Sequence, residues 1–125
     1  MAAISLLQTI NDNLLITTWV EFEAVNAMGL KEFRNEVLAG QAEASLRNFE
    51  KAIASGAIEL RTLPESAFER GRRLSRQFTP DIGTRTGDLL HVAAALELGA
   101  TSFFSFDIQQ RKVAEAVGLA LNPFP

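Results

Sequence analysis

Short runs of consecutive apolar residues alternate along this chain with longer stretches in which apolar positions recur every three or four residues. The first pattern marks strands buried on both faces and the second marks amphipathic helices. LLITT (14–18) and TSFFSF (101–106) are runs of the first kind. IELRTL (58–63) alternates apolar and polar positions, as an edge or half-exposed strand does. Helical spacing runs from Ala2 to Asn11, with Ile4, Leu7 and Ile10 on one side. It resumes in WVEFEAVNAM, for which Thr18 is a candidate cap. There Trp19, Phe22 and Asn26 share a stripe and Glu23 faces elsewhere. KEFRNEV and GQAEASLRNFEKAIAS continue helical to Gly56. PESAFERGRRLSRQF places Ala67, Gly71, Leu74 and Phe78 on one apolar face, and TPDIGT after it reads as a loop. The last two helices run from Arg85 to Leu98, stopped by Gly99, and over DIQQRKVAEAV, stopped by Gly118. LALN at the end is a further candidate strand.

Strands alternating with helices predict a three-layer α/β domain with a mostly parallel sheet. The 125 residues suit one domain, and a chain of this length buries roughly two-thirds of its unfolded surface without staples. It has no cysteine, which excludes disulfides and thiolate metal sites. No apolar run approaches the ~20 residues of a membrane span, and MAAISLLQTINDN lacks the basic start of a signal peptide. A soluble, cytoplasmic protein is expected. The net charge is −3, so any contact with nucleic acid must come from a local patch. One exists between Arg61 and Arg85, where six arginines face three acids. A solvated helix face explains the same residues.

Candidate chemistry lies with three carboxylates. Ligands of parallel α/β sheets sit outside the carboxyl ends of the strands. Asp107 directly follows TSFFSF, and Asp88 is in the first turn of the helix before it. Chain reversal at Gly99 brings that helix start and that strand end to one rim. Glu23, two turns into the helix after LLITT, falls near another carboxyl end. Converging carboxylates repel and raise one another's pKa values, which a divalent cation with oxygen ligands relieves. Each has an ordinary explanation as well. Asp107 and Gln110 have capping-box spacing, Asp88 is favoured by the helix dipole, and Glu23 suits an exposed surface. His91, the one histidine, reads as a packed residue before it reads as a ligand or base.

RTGDLLHVAAALELGATSFFSFD resembles the C-terminal half of PIN domains, above all the VapC-type toxins of bacterial toxin–antitoxin pairs. Arg85, Asp88, His91, Ala93, Ala95, Gly99, Ala100, Ser105 and Asp107 occupy the corresponding places. LLITTWVEFEAVNAM is similar to the family's strand–helix segment, with Glu23 before Asn26 and Ala27, and AEAVGLAL to its last helix and strand. The resemblance implies a PIN-like fold and a Mg²⁺- or Mn²⁺-dependent endoribonuclease. It implies metal binding and catalysis by Glu23, Asp88 and Asp107, with Arg85 and Ser105 contacting substrate. Expected partners are an RNA substrate, a cognate antitoxin and a second copy of the chain, and no membrane. In such a site the metal activates a water for attack on the phosphodiester.

The family's opening strand, which ends in an Asp that binds metal, has no counterpart here. A truncated PIN-like domain is therefore expected, either an active ribonuclease or a catalytically impaired remnant that acts as a binding module or has no function. Family strand order is 3-2-1-4-5, which leaves the centre of the sheet vacant. Direct parallel pairing of LLITT with TSFFSF is the expected closure, since bare facing edges would strand buried backbone groups at ~1–3 kcal/mol each. A receiver-type phosphoacceptor, which also sets Asp at strand ends, would want a Lys after a late strand; Lys31, Lys51 and Lys112 all fall in helical segments.

Overall fold

A computed structural model describes residues 6–9 and 13–123. Among these are five strands and five helices in the order β1 (Leu6–Gln8), β2 (Leu14–Thr17), α1 (Thr18–Phe33), α2 (Gln41–Ala54), β3 (Glu59–Arg61), α3 (Ser66–Ile82), α4 (Thr86–Glu97), β4 (Ser102–Phe104), α5 (Ile108–Ala116) and β5 (Ala120–Leu121). The sheet has the order β3-β2-β1-β4-β5. β2 pairs parallel with β3 and β4 with β5, while β1 is antiparallel to both β2 and β4. The sheet is thus mixed: four strands share one direction and the central one opposes them.

The centre of the sheet overturns two expectations. LLITT and TSFFSF do not pair directly, because Leu6–Gln8 lies between them. The expected helix from Ala2 is a strand at these three residues; positions 2–5, 10, 11 and Asp12 lie outside the described residues. The reason is the one that made a vacant centre untenable. Two apolar strands with unpaired facing edges form a strong template for a third. Leu and Gln are good helix formers, but pairing on both sides overrides their preference. The strand arrives as a hairpin arm, closed by the Thr9 N–H on Asn13 O at 3.3 Å, and Gln8 O accepts from Thr101 N–H at 2.8 Å.

The register sets the core. Leu15, Leu7, Phe103 and Leu121 are successive partners across β2, β1, β4 and β5, so they line one face. The first three are buried and pack with Leu74, Leu89, Val92 and Val113 from α3, α4 and α5. The opposite face carries buried Ile16 beside Leu60, with α1 packed on β2 and α2. Helices in two groups about one sheet are compatible with three α/β/α layers. No helix among the described residues is long and apolar enough to cross a membrane.

Local chemistry explains the element ends. Thr17, rather than Thr18, caps α1 by accepting from Val20 N–H at 3.2 Å, and Thr18 Oγ1 instead accepts from Leu63 N–H at 3.1 Å. α3 runs through the expected TPDIGT loop to Ile82. Pro80 removes one backbone donor, but it falls in the last turn, and the helix ends at left-handed Gly83. α4 closes at Gly99, φ 73°, where Ala100 N–H reaches back to Ala95 O at 2.9 Å and turns the chain into β4.

Candidate functional site

Between β4 and α5 the chain passes through Ser105, Phe106 and Asp107. Asp107 is the N-cap of α5, its Oδ1 accepting from Gln110 N–H at 2.8 Å. The spacing is that of a capping box, but the return bond takes another route. Ser105 Oγ accepts from Asp107 N–H at 3.0 Å and donates to Gln110 Oε1 at 2.5 Å. The remaining Gln110 donor, Nε2, reaches the backbone carbonyl of Asp88 at 3.1 Å. Arg111 donates to Ser105 O and to Asn122 Oδ1, each at 2.9 Å, and Asn122 Oδ1 also accepts from Ser105 N–H at 2.8 Å. The loop is therefore held by α5 and by the segment after β5. Ser105 is buried, with both directions of its hydroxyl used inside the loop.

Asp88 stands in the first turn of α4, beside the N-cap Arg85. The Arg85 guanidinium faces both acids, with Nε 3.5 Å from Asp88 Oδ2 and a terminal nitrogen 3.8 Å from Asp107 Oδ2. These are ion pairs at distances too long for good hydrogen bonds. Partial burial raises the Asp88 pKa above the usual carboxylate range and the charge of Asp107 adds to this; Arg85 and His91 oppose the rise. The two acids thus sense each other, as expected from the chain reversal at Gly99.

Glu23 reaches the cluster through His91. Its carboxylate lies 2.6 Å from His91 Nε2, a bond that ties α1 to α4. His91 is buried and Glu23 is half exposed, so the histidine is the packed residue that its helical position suggested, with an acidic partner. The structure brings Arg85, Asp88, Ser105 and Asp107 together directly; Glu23 is bonded to His91, which acts on Asp88 through its charge.

A Mg²⁺ or Mn²⁺ ion needs several oxygen ligands around one point. Here one carboxylate is on a histidine and the other two flank a guanidinium. Among the described residues, no three His, Asp or Glu side chains gather closely enough to hold a metal ion. As folded, the three carboxylates are not gathered around one point, and the Arg85 side chain beside two of them is 84% exposed. The central strand accentuates this. Because β1 opposes its neighbours, its amino end, at Leu6, lies beside Phe104 on the carboxylate rim, and its carboxyl end lies on the other.

The arginine patch is partly committed. Arg70 is held by Glu97 at 2.7 Å and Arg61 lies 3.9 Å from Glu59, whereas Arg72, Arg73 and Arg76 are exposed on α3. Gln110, Arg111 and Asn122 shape the site without having stood out as functional residues. The capping spacing pointed to Gln110; nothing in the local sequence pointed to Asn122. Comparisons with protein-family models, with curated proteins and with solved structures returned no match.

Proposed function

We propose that this chain is a PIN-type domain, similar to the VapC-type toxin ribonucleases, that engages RNA at its carboxylate rim but is impaired in metal-dependent hydrolysis. Two features support the family reading. The four strands that flank the centre stand in the order that the resemblance implies, although the strand between them runs antiparallel, and the Arg-x-x-Asp and Ser-x-Asp segments meet at one rim. The impairment rests above all on Arg85 standing between Asp88 and Asp107; the bond of Glu23 to His91 adds to it. A guanidinium so placed neutralises the acid pair without activating a water, because it offers no open coordination position. In this reading Arg85 is also the group nearest the acids that can meet an RNA phosphate, and Ser105 positions Asp107 rather than touching substrate.

The test is cleavage of a mixed-sequence single-stranded RNA in Mg²⁺ or Mn²⁺, with Asp88→Asn as the control. The expected result is RNA binding without turnover above the control. Metal-dependent cleavage that disappears in Asp88→Asn would overturn the impairment and restore the full ribonuclease reading.

A further inference from the structure

Beside the acidic rim, α3 and α4 enclose a cleft that none of the site residues line. The helices meet where Gly71 faces Ala93; a Cβ built on Gly71 would lie 3.9 Å from the Ala93 Cβ, an ordinary contact. Next to this contact the helices part and leave about 220 Å³. That is below the roughly 300–1,000 Å³ of clefts that bury a whole drug-sized ligand, so it suits one ring system rather than a complete molecule. Leu89, buried, and Leu90 provide apolar wall, and Phe68, 50% exposed, stands at the same cleft. Three polar side chains join them: Arg72, Ser75 and Thr86. Among the described residues, neither the Ser75 nor the Thr86 hydroxyl has a hydrogen-bond partner.

We propose that this cleft receives one unpaired nucleobase of a single-stranded RNA. The inference rests on the RNA-directed reading above and assigns it a recognition site. Three properties select the occupant. The space is apolar and of single-ring-system size, with an aromatic side chain available for stacking. Two free hydroxyls can each donate or accept, which suits the polar edge of a base. Cations flank it: Arg72 lines the cleft and Arg76 is exposed one turn further along α3, with Glu65 and Glu69 beside Phe68 and Arg72 on the adjoining surface. Stacking platforms joined to a basic track are how proteins hold single strands. A duplex would keep its bases stacked and offer no ring. The cleft also connects to the acidic rim through α4. Thr86 follows Arg85 and Leu89 follows Asp88, but at about 100° per residue Thr86 and Leu90 lie on the side of the helix away from Asp88. A strand with a base in the cleft crosses the start of α4, with its backbone passing Arg85.

Fluorescence anisotropy without divalent ions tests this, using a labelled single-stranded oligouridylate, an oligoadenylate and an abasic ribose-phosphate oligomer of equal length. The wild type should bind the base-bearing strands more tightly than the abasic one. Phe68→Ala, a change at a half-exposed position, should weaken base-bearing RNA about tenfold and leave the abasic oligomer unchanged. Ser75→Leu, which fills the cleft, should act alike, with its melting curve confirming the fold. Arg72→Gln combined with Arg76→Gln should weaken all three oligomers. If Phe68→Ala and Ser75→Leu bind base-bearing RNA as the wild type does, the strand is held by charge alone. The cleft proposal then fails while the RNA reading stands. If the wild type binds none of the oligomers, the RNA reading itself fails and the base site falls with it.

Discussion

The side-chain amide of Gln110 donates to the backbone carbonyl of Asp88 at 3.1 Å, which fastens the start of α5 to the start of α4. The Gln110 backbone N–H is meanwhile held by the Asp107 carboxylate. One buried residue therefore bonds to both segments that carry the acids Arg85 spans.

Gln110→Ala should cost about 1–3 kcal/mol, because it leaves the buried Ser105 O–H without its acceptor and removes the side-chain bond to the Asp88 carbonyl. Urea unfolding measures this. A loss below ~0.5 kcal/mol, the usual scatter of surface substitutions, would mean that the rim keeps its spacing by other means.

Asp107 combines a cap and a charge, and two substitutions separate them. Asp107→Ala removes the cap and should lower stability by about 1 kcal/mol. Asp107→Asn keeps a capping oxygen and removes the charge that raises the Asp88 pKa, so it should cost less than Asp107→Ala. Equal losses in the two variants would show that the carboxylate charge, not the cap, holds the start of α5.

Burial and the Asp107 charge raise the Asp88 pKa. Between the ordinary carboxylate value and the raised one, the folded chain binds more protons than the unfolded chain. Stability from this group therefore falls as pH rises through that window. Asp88→Asn should melt higher than the wild type above the window, and the difference should shrink toward acid pH. The Glu97 pKa is lowered, first by the Ser66 hydrogen bond and then by Arg70, so its contribution has the opposite sign and is lost on acidification. Comparing the two melting curves at each pH cancels it. An Asn variant that melts lower at neutral pH would show that Arg85 outweighs burial.

Residues 14–17 and 102–104 were legible as strands because an uninterrupted apolar run bounded by polar residues suits a strand with both faces covered. Gly99 and Gly118 were legible as helix ends because the left-handed conformation each adopts favours glycine. The meeting of Asp88 and Asp107 followed from the reversal at Gly99. Leu6–Gln8 was not legible. Three residues are too few to show a period of two, and Ile4, Leu7 and Ile10 imitate a helical stripe. What makes the segment a strand is Phe103 and Phe104, far away in the chain. Thr79–Ile82 misled for a local reason, since Pro80 usually ends a helix at the residue before it. The Glu23–His91 bond and the Asn122 contacts depend on packing between distant elements, which periodicity does not encode.

The most direct measurement is the melting temperature in millimolar Mn²⁺ or Mg²⁺ against a metal-free control, for the wild type, Arg85→Gln and Asp88→Asn. If Arg85 holds the acid pair closed and Glu23 stays on His91, the wild type and Asp88→Asn should each keep its own melting temperature unchanged by metal. Arg85→Gln, with the pair open to an external cation, should gain a metal-dependent rise. A ligand at ~100 times its Kd adds about 2.7 kcal/mol. A wild-type rise on that scale, lost in Asp88→Asn, would contradict the closed rim and place a working metal centre on these carboxylates.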